Sequence, residues 1–314
     1  FKEILINKKI QNLISFQNEI ININYKKNFL NIDIDSGYSF LKDNYKNSEK
    51  DKIKVEIIKK NNKDFKVEAF IENENNSINS NELSSYIKRS NILLEDQEII
   101  FGSTNQIFFT LNDKNKIKNL RVKSNLNLDN ILIKYKSPRI NKIFPDYKNI
   151  IKIKNNLINI DFFTNKFFFF SNGEYSFNKK YDKFNIEITR NKNDIIFDSN
   201  IVISANQIII QDINYKKEKN NFSEVKFDGK IFQNKKIKLN NLSLIESENI
   251  FSLSNLYLSN DYKIIDLDKL QLTYLNNNKK LNQLNILKEN NKFKLSSDIF
   301  DGKSIIKNLL NGDS

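Results

Sequence analysis

The strongest constraint on the fold is a period of two in hydrophobicity that recurs along the whole chain. Apolar side chains occupy every second position in segments such as Ile53, Val55 and Ile57, with polar residues between them. Because successive side chains of a β-strand point to opposite faces of its sheet, this period predicts strands with one apolar face. Such segments recur about every 8 to 12 residues, a spacing that predicts roughly twenty strands.

The segments between the predicted strands indicate how the strands connect. They are rich in Asn and Lys, whereas the chain has only 6 Gly and 2 Pro. Asn tolerates the left-handed backbone that tight hairpins need, so these segments can close turns without Gly. No segment looks long enough for the helical crossovers that parallel strands require. We therefore predict an all-β chain with few short helices, whose long antiparallel meander curls into an elongated groove resembling a β-taco.

Helices and domain boundaries leave weaker signals. Three short segments have helical spacing of apolar residues: residues 1–16, a segment capped by Asn81, and residues 302–310. Both prolines, Pro138 and Pro145, fall close together and favour a bend in the sheet. We predict one elongated β-rich unit over residues 1–314, with a possible sub-boundary at residues 136–146.

The run Phe167 to Phe170 departs from the alternating pattern. In a strand, two of its rings face each side, so both faces need cover. We predict that Phe168 and Phe170 point inward and that Phe167 and Phe169 are covered by other protein segments or by lipid.

The inventory of reactive side chains is short. The chain has no Cys and no His, which excludes Ser-His-Asp triads, Cys nucleophiles and His-ligated metals. Gly302-Lys303-Ser304 resembles the end of a phosphate-binding loop, but Ser297 stands where that loop needs its first Gly. The acidic residues lie singly between apolar ones, as expected for the solvent face of strands. We predict a protein that is not an enzyme and that uses no metal or cofactor.

The chain carries a formal net charge of +13, from 51 basic and 38 acidic residues. Nearly all the basic residues are Lys, whereas nucleic-acid binders more often use the planar fork of Arg. We therefore predict a solvated lysine surface and no nucleic-acid partner. The alternative, a polyanion-binding surface, requires the lysines to cluster on one face.

The end of the chain carries a family resemblance. In NKFKLSSDIFDGKSIIKNLLNG (291–312), a strand leads to the turn Phe300-Asp301-Gly302 and then to an amphipathic segment containing Ile305, Ile306, Leu309 and Leu310. This order resembles the AsmA-like superfamily, and within it the YhdP-type and TamB-type bridge proteins. The run of short alternating strands at 227–261 is similar to the stacked strands of that family.

The resemblance implies a function. Such proteins are anchored in the inner membrane of Gram-negative bacteria and lie mainly in the periplasm, where an apolar β-groove carries phospholipid acyl chains toward the outer membrane. Membrane proteins at either end would be further partners. Since the chain starts with Phe and contains no Met, we expect an excerpt whose anchor precedes residue 1. The predicted groove-lining residues are Ile32, Ile34, Val55, Ile57, Val67, Ala69, Leu126, Leu128, Phe168, Phe170, Ile186, Ile188, Ile201, Ile203, Leu256, Leu258, Leu270 and Leu272.

The main alternative is a closed β-sandwich or stalk with a scaffolding or adhesion role and no lipid. It would bury the same apolar residues against one another. Alternation alone does not decide between the two, because it leaves open which face of each strand points inward. The accessibility of the apolar face distinguishes them.

Overall fold

The computed structural model describes ten segments of the chain: residues 3–7, 12–41, 51–60, 63–80, 93–95, 97–114, 116–192, 194–234, 236–290 and 292–303. These residues contain 22 strands, of which 20 belong to one hydrogen-bonded sheet and two form a small separate sheet. The strands that follow one another along the chain pair antiparallel, as the short polar turns predict. The all-β class, the antiparallel meander and the number of strands are confirmed.

By its internal contacts the chain divides into two compact units. Unit 1 comprises Phe1–Ile131 and Lys154–Ser171, and unit 2 comprises Leu132–Ile153 and Asn172–Ser314. Residues 136–146, the predicted sub-boundary, lie inside the first segment of unit 2.

Unit 1 is a meander in which each long strand pairs with the next, from β1 with β2 through β7 with β8, and β8 then pairs with β10. Its strands are β1 (Glu3–Asn7), β2 (Asn12–Lys26), β3 (Phe29–Leu41), β4 (Lys52–Lys60), β5 (Phe65–Asn79), β6 (Leu93–Leu94), β7 (Glu98–Leu111) and β8 (Ile117–Asp129). Three strands cross the boundaries between the units, namely β9 (Ile131–Lys134), β10 (Ile150–Phe163) and β11 (Lys166–Ser176).

Unit 2 continues with the same kind of pairing. Its main strands are β12 (Asp182–Asn191), β13 (Asp194–Val202), β16 (Glu224–Ile231), β17 (Ile237–Glu246), β18 (Asn249–Leu258), β19 (Ile264–Asp266), β20 (Lys269–Leu275), β21 (Leu281–Glu289) and β22 (Lys292–Ser296). Between β13 and β16 the chain forms a separate hairpin of β14 (Ile208–Ile210) and β15 (Tyr215–Lys217), joined by a 3-10 turn at Gln211–Ile213.

Asn takes the place of Gly at the turns and irregular positions. Of the fourteen described non-glycine residues with positive φ, ten are Asn. Asn18 and Asn119 lie at shifts of register, between Gln17 and Ile20 of β2 and opposite Phe108–Thr110 of β7. The Asn content thus supplies left-handed backbone both to hairpins and to β-bulges.

Helices are scarce in the described part of the chain. One α-helix is present, α1 (Pro138–Ile143), where Ser137 caps the first turn and Pro138 occupies a position that suits its fixed φ. The helix predicted within residues 1–16 is wrong, because residues 3–7 and 12–16 lie in β1 and β2. The helical segment predicted at 81–87 lies outside the described residues, as do residues 304–310 of the segment predicted at 302–310.

Candidate functional site

The strand register of unit 1 places the predicted apolar residues on one face of its sheet. Ile34 pairs with Ile21 on one side and with Val55 on the other, and Val55 pairs with Ala69. The same row continues through Ile107, Val122 and Phe162. An adjacent row contains Ile23, Ile32, Ile57, Val67 and Phe109. We call this side the apolar face of unit 1, and the other side its polar face.

The apolar face of unit 1 is only partly buried. Val67 and Ala69, near its centre, are 7% and 9% exposed. Ile32, Ile34, Val55 and Ile57 are half-buried, and so are Leu126 and Leu128. A second sheet packed on this face at about 10 Å would also bury Ile32, Ile34, Val55 and Ile57 of the neighbouring strands β3 and β4. In the described part of unit 1, these positions keep accessible apolar surface.

A hydrogen-bonded band of polar side chains crosses this same face. The Tyr38 hydroxyl donates to Oδ1 of Asn73, and Nδ2 of Asn73 donates to Oγ of Ser103. Nδ2 of Asn105 also donates to Ser103, and Ser124 donates to Oδ1 of Asn105 at 2.5 Å. Desolvation raises the pKa of Tyr38 above its usual range, so its hydroxyl remains a donor. The band was missed in the sequence, although Asn and Ser at apolar-phase positions of neighbouring strands were a signal for it.

A hydrogen bond between Ser171 and Asn156 shows on which face of the sheet each ring of the phenylalanine run lies. Oγ of Ser171 donates to Oδ1 of Asn156 at 2.8 Å, and Asn156 pairs with Leu128 on the apolar face. Since side chains alternate along β11, Phe167 and Phe169 share that face with Ser171. Their rings stack with centroids 6.5 Å apart. The face predicted for Phe168 and Phe170 is therefore wrong, because these two rings project from the polar face.

In unit 2 the apolar residues again share one face by register. Ile201 pairs with Val225, Val225 with Leu244, and Leu244 with Phe251. Further rows contain Ile186 and Ile188 of β12, Leu256 and Leu258 of β18, and Leu270 and Leu272 of β20. All the predicted strand residues of unit 2 therefore lie on its apolar face.

Part of this face is covered by the chain itself. The hairpin β14–β15 places Ile208 and Tyr215 in one core with Leu244, Phe251 and Tyr274. Ile203 and Leu272 belong to the same core and are 4% and 7% exposed. The prediction that these two line an open groove is wrong, since they contact protein. Ile201 and Leu270 pack against the core from its border.

Buried polar contacts fix the covering hairpin, called here the cap (residues 203–223). The Lys217 Nζ donates to the carbonyls of Asn206 at 2.8 Å, Glu218 at 3.1 Å and Ser204 at 3.3 Å. Its burial lowers the pKa of the ammonium, while Glu246 and Asp182 oppose that shift. The sequence showed Lys217 only as one more lysine.

Two carboxylates hold the ends of the cap. Asp182 accepts the backbone N–H groups of Ser204 and Ala205 at 3.0 to 3.1 Å. Glu246 accepts the Tyr215 hydroxyl and Nδ2 of Asn221. The contacts of Asp182 and Glu246 join the cap to the main sheet of unit 2, so these two carboxylates stabilise the fold.

The polar face of unit 1 carries a shallow cleft of about 340 Å³, lined by Glu68, Gln106, Phe108, Arg121, Lys123 and Phe163. Arg121 holds Asp161 through two hydrogen bonds, at 2.8 and 3.2 Å, and the guanidinium lowers the pKa of that carboxyl. Gln106 donates to Glu68. Because its main charged groups already have partners, this cleft contains no arrangement that points to a reaction.

The described residues contain no cluster of three or more His, Cys, Asp or Glu that could hold a metal ion. Among the same residues, no helix combines the length and the apolar character that a membrane span requires. Comparisons with protein-family models, curated proteins and solved structures found no match to this chain. The resemblance to the AsmA-like superfamily therefore stays a prediction.

Proposed function

We propose that the apolar face of unit 1 binds the acyl chains of phospholipids, and that the protein is a segment of a bridge-like lipid-transfer protein of the AsmA-like superfamily. In this proposal the protein is periplasmic and non-catalytic. The observation that supports it best is that Ile32, Ile34, Val55 and Ile57, on β3 and β4 of this face, are only half-buried.

The geometry of the rows suits a long apolar ligand. Residues two apart on a strand are about 6.6 Å apart, and neighbouring strands lie about 4.8 Å apart. The Ile34 row and the Ile32 row therefore form a strip that runs across the strands and meets Ile, Val, Ala or Phe at each step. An acyl chain lying along this strip would gain about 0.8 kcal/mol for each methylene removed from water.

Movement along the strip follows from its uniformity. A lipid that shifts between β3 and β4 exchanges contacts with one half-buried aliphatic side chain for contacts with another, so the change in free energy is small. Leaving the strip exposes all its methylenes to water at once. These two costs favour sliding over release, which is the behaviour that a transfer protein needs. The polar band beside the strip would limit the area available to acyl chains.

The test compares two neighbouring isoleucines of β4. Ile57 lies on the apolar face, opposite Ile32 and Val67, whereas Ile58 lies on the polar face, opposite Asn31 and Lys66. Ile57→Asp should reduce both the phospholipid that co-purifies with the protein, measured by mass spectrometry, and lipid transfer between labelled vesicles. Ile58→Asp should change both far less, because it introduces the same charge outside the strip.

Two results would contradict the proposal. The first is a wild-type protein that carries no phospholipid and transfers none, which would favour the scaffolding or stalk alternative. The second is equal loss of transfer in both variants while both stay folded, which would place the ligand elsewhere.

A further inference from the structure

A short turn in unit 2 exposes three large apolar side chains close together. It leads from β18 into β19, and residues 259–265 are called here the exposed turn. Tyr262, Ile264 and Ile265 are 61%, 69% and 51% exposed. Apolar residues that are exposed singly are ordinary on a protein surface. Three of them so close in sequence form a patch that favours contact with another apolar surface.

The exposed turn holds Tyr262 in left-handed backbone, with φ at 64°. The N–H of Tyr262 donates to the carbonyl of Ser259 at 3.0 Å, and the N–H of Lys263 donates to Oγ of Ser259 at 3.0 Å. This backbone is unfavourable for a bulky side chain. Of the fourteen described non-glycine residues with positive φ, ten are Asn and Tyr262 alone is aromatic. Because strained backbone of this kind concentrates at functional sites, the ring of Tyr262 is a candidate contact residue.

A basic segment of unit 2 lies beside the exposed turn. Residues 132–149, called here the basic segment, contain one acidic residue, Asp146, and the basic residues Lys134, Lys136, Arg139, Lys142 and Lys148. Arg139 of α1 contacts the turn, since its Cζ lies 5.7 Å from the centre of the Tyr262 ring. Among the described residues, Lys136 and Arg139 have no carboxylate partner. Their charge is therefore available to an anionic partner.

The acidic residues of this surface are already paired. Asp146 lies 2.6 Å from Nζ of Lys219, and Asp261 lies 3.3 Å from Nζ of Lys263. Together the basic segment and the exposed turn contain six basic and these two acidic residues. The surface thus combines an excess of positive charge with exposed Tyr and Ile.

We propose that the exposed turn and the basic segment form a docking surface for anionic phospholipid bilayers. Tyr262 would lie at the level of the head groups, where its ring meets apolar surface and its hydroxyl meets water. Ile264 and Ile265 would enter the boundary between head groups and acyl chains. Lys136 and Arg139 would attract the anionic head groups. The inference concerns unit 2 and does not depend on the lipid-binding face proposed for unit 1.

The exposed apolar side chains favour a bilayer over nucleic acid or another soluble polyanion. A soluble polyanion would contact the cations but would bury little of Ile264 and Ile265. A bilayer uses both kinds of side chain, because burial of apolar area and attraction to anionic lipids both strengthen binding at its surface.

Co-sedimentation of the full chain with vesicles tests the docking surface. We expect binding to vesicles of phosphatidylcholine with phosphatidylglycerol, weaker binding to phosphatidylcholine alone, and a decrease as NaCl is raised. Lys136→Glu combined with Arg139→Glu should weaken binding to the anionic vesicles by about tenfold or more. Ile264→Asp should weaken it by about tenfold. Ile196→Asp, which changes an exposed isoleucine of β13, is the matched control and should leave binding unchanged.

Tyr262→Asn separates a binding role from a structural one. Asn suits left-handed backbone better than Tyr does, so the free energy of unfolding in urea should stay the same or increase. Binding to the anionic vesicles should nevertheless fall by about fivefold or more, because the ring is lost from the interface. A residue that only supported the fold would not show this opposite change in stability and binding.

Three results would overturn the proposal. The first is a wild-type chain that does not bind the anionic vesicles. The second is full binding by Tyr262→Asn and Ile264→Asp while the double Glu variant loses it, which would indicate a soluble polyanion as the partner. The third is binding that Ile57→Asp abolishes and Ile264→Asp leaves intact, which would assign the vesicle contact to the apolar face of unit 1.

Discussion

At the residue scale, the buried side chains among the described residues are polar as often as they are apolar. Lys217 is fully buried and donates to three backbone carbonyls, whereas its neighbour Lys216 lies on the surface beside Glu218. Burial of an ammonium is favourable only when its donors are satisfied, and here all three N–H groups have acceptors. Lys217 therefore fixes the path of the cap at Ser204 and Asn206.

Replacing Lys217 should destabilise the protein strongly. Lys217→Met keeps the volume of the stem but leaves three carbonyls and the nearby Asp182 and Glu246 without their cation, so we expect a loss of about 3 kcal/mol in the free energy of unfolding. Lys216→Met removes only the exposed ion pair with Glu218 and should cost less than about 1 kcal/mol. Urea denaturation of both variants measures the difference. Equal stability of the two would mean that Lys217 does not hold the cap.

At the element scale, hydrophobic alternation predicted most strands but not the orientation of β11. The segments at Ile53–Ile57 and Phe65–Ile71 form β4 and β5, which pair antiparallel as expected. The helix predicted within residues 1–16 is wrong although Ile6, Ile10 and Leu13 fit a helical spacing. The pairing of β1 with β2 offers hydrogen bonds that a short helix could not match.

The apolar faces of the candidate site were predictable in part, because hydrophobic alternation marks which residues of a strand share a face. Once the apolar side of one strand in unit 1 is known, the register of the paired strands places Ile34, Val55 and Ala69 on the same face. The cap could not be foreseen, because Ile208–Ile210 looks like any other apolar segment and the core that Ile208 shares with Phe251 joins distant parts of the chain. The orientation of β11 depends on the contact between Ser171 and Asn156, which no local pattern encodes.

The phenylalanine run of β11 allows a direct test of face assignment. The chain has no Trp, so Phe169→Trp and Phe168→Trp each introduce a single indole fluorophore into the same strand, on opposite faces. Phospholipid with brominated acyl chains should quench the indole of the Phe169→Trp variant substantially and that of the Phe168→Trp variant little. The reason is that Phe169 shares the apolar face with Asn156 and Leu128. Fluorescence titration with these lipids measures both.

Unbrominated lipid of the same head group is the control for changes unrelated to contact. Equal quenching in the two variants would contradict a ligand confined to the apolar face. Stronger quenching in the Phe168→Trp variant would place the lipid on the polar face instead.

At the scale of the whole molecule, net charge and ion pairing have opposite effects on the stability of the folded chain. The net charge of +13 produces general repulsion that opposes folding. The ion pairs of the described residues are mostly exposed, as in Lys54–Asp35 and Arg121–Asp161, and pairs of this kind stabilise by about 0 to 1 kcal/mol each. On the polar face of unit 1 the two signs are mixed, so this face does not form the lysine cluster that polyanion binding requires.

Added salt should therefore stabilise the chain. Between about 10 mM and 150 mM NaCl the screening length falls from roughly 30 Å to roughly 8 Å, which removes repulsion between distant lysines before it affects close ion pairs. We expect the melting temperature, measured by circular dichroism, to rise by a few degrees over this range. Replacing the exposed residues Lys166, Lys236 and Lys269 with Gln lowers the net charge from +13 to +10 (13 − 3) and should reduce the rise. If the melting temperature fell with salt instead, the exposed ion pairs would outweigh the repulsion, and the lysine surface would contribute to stability.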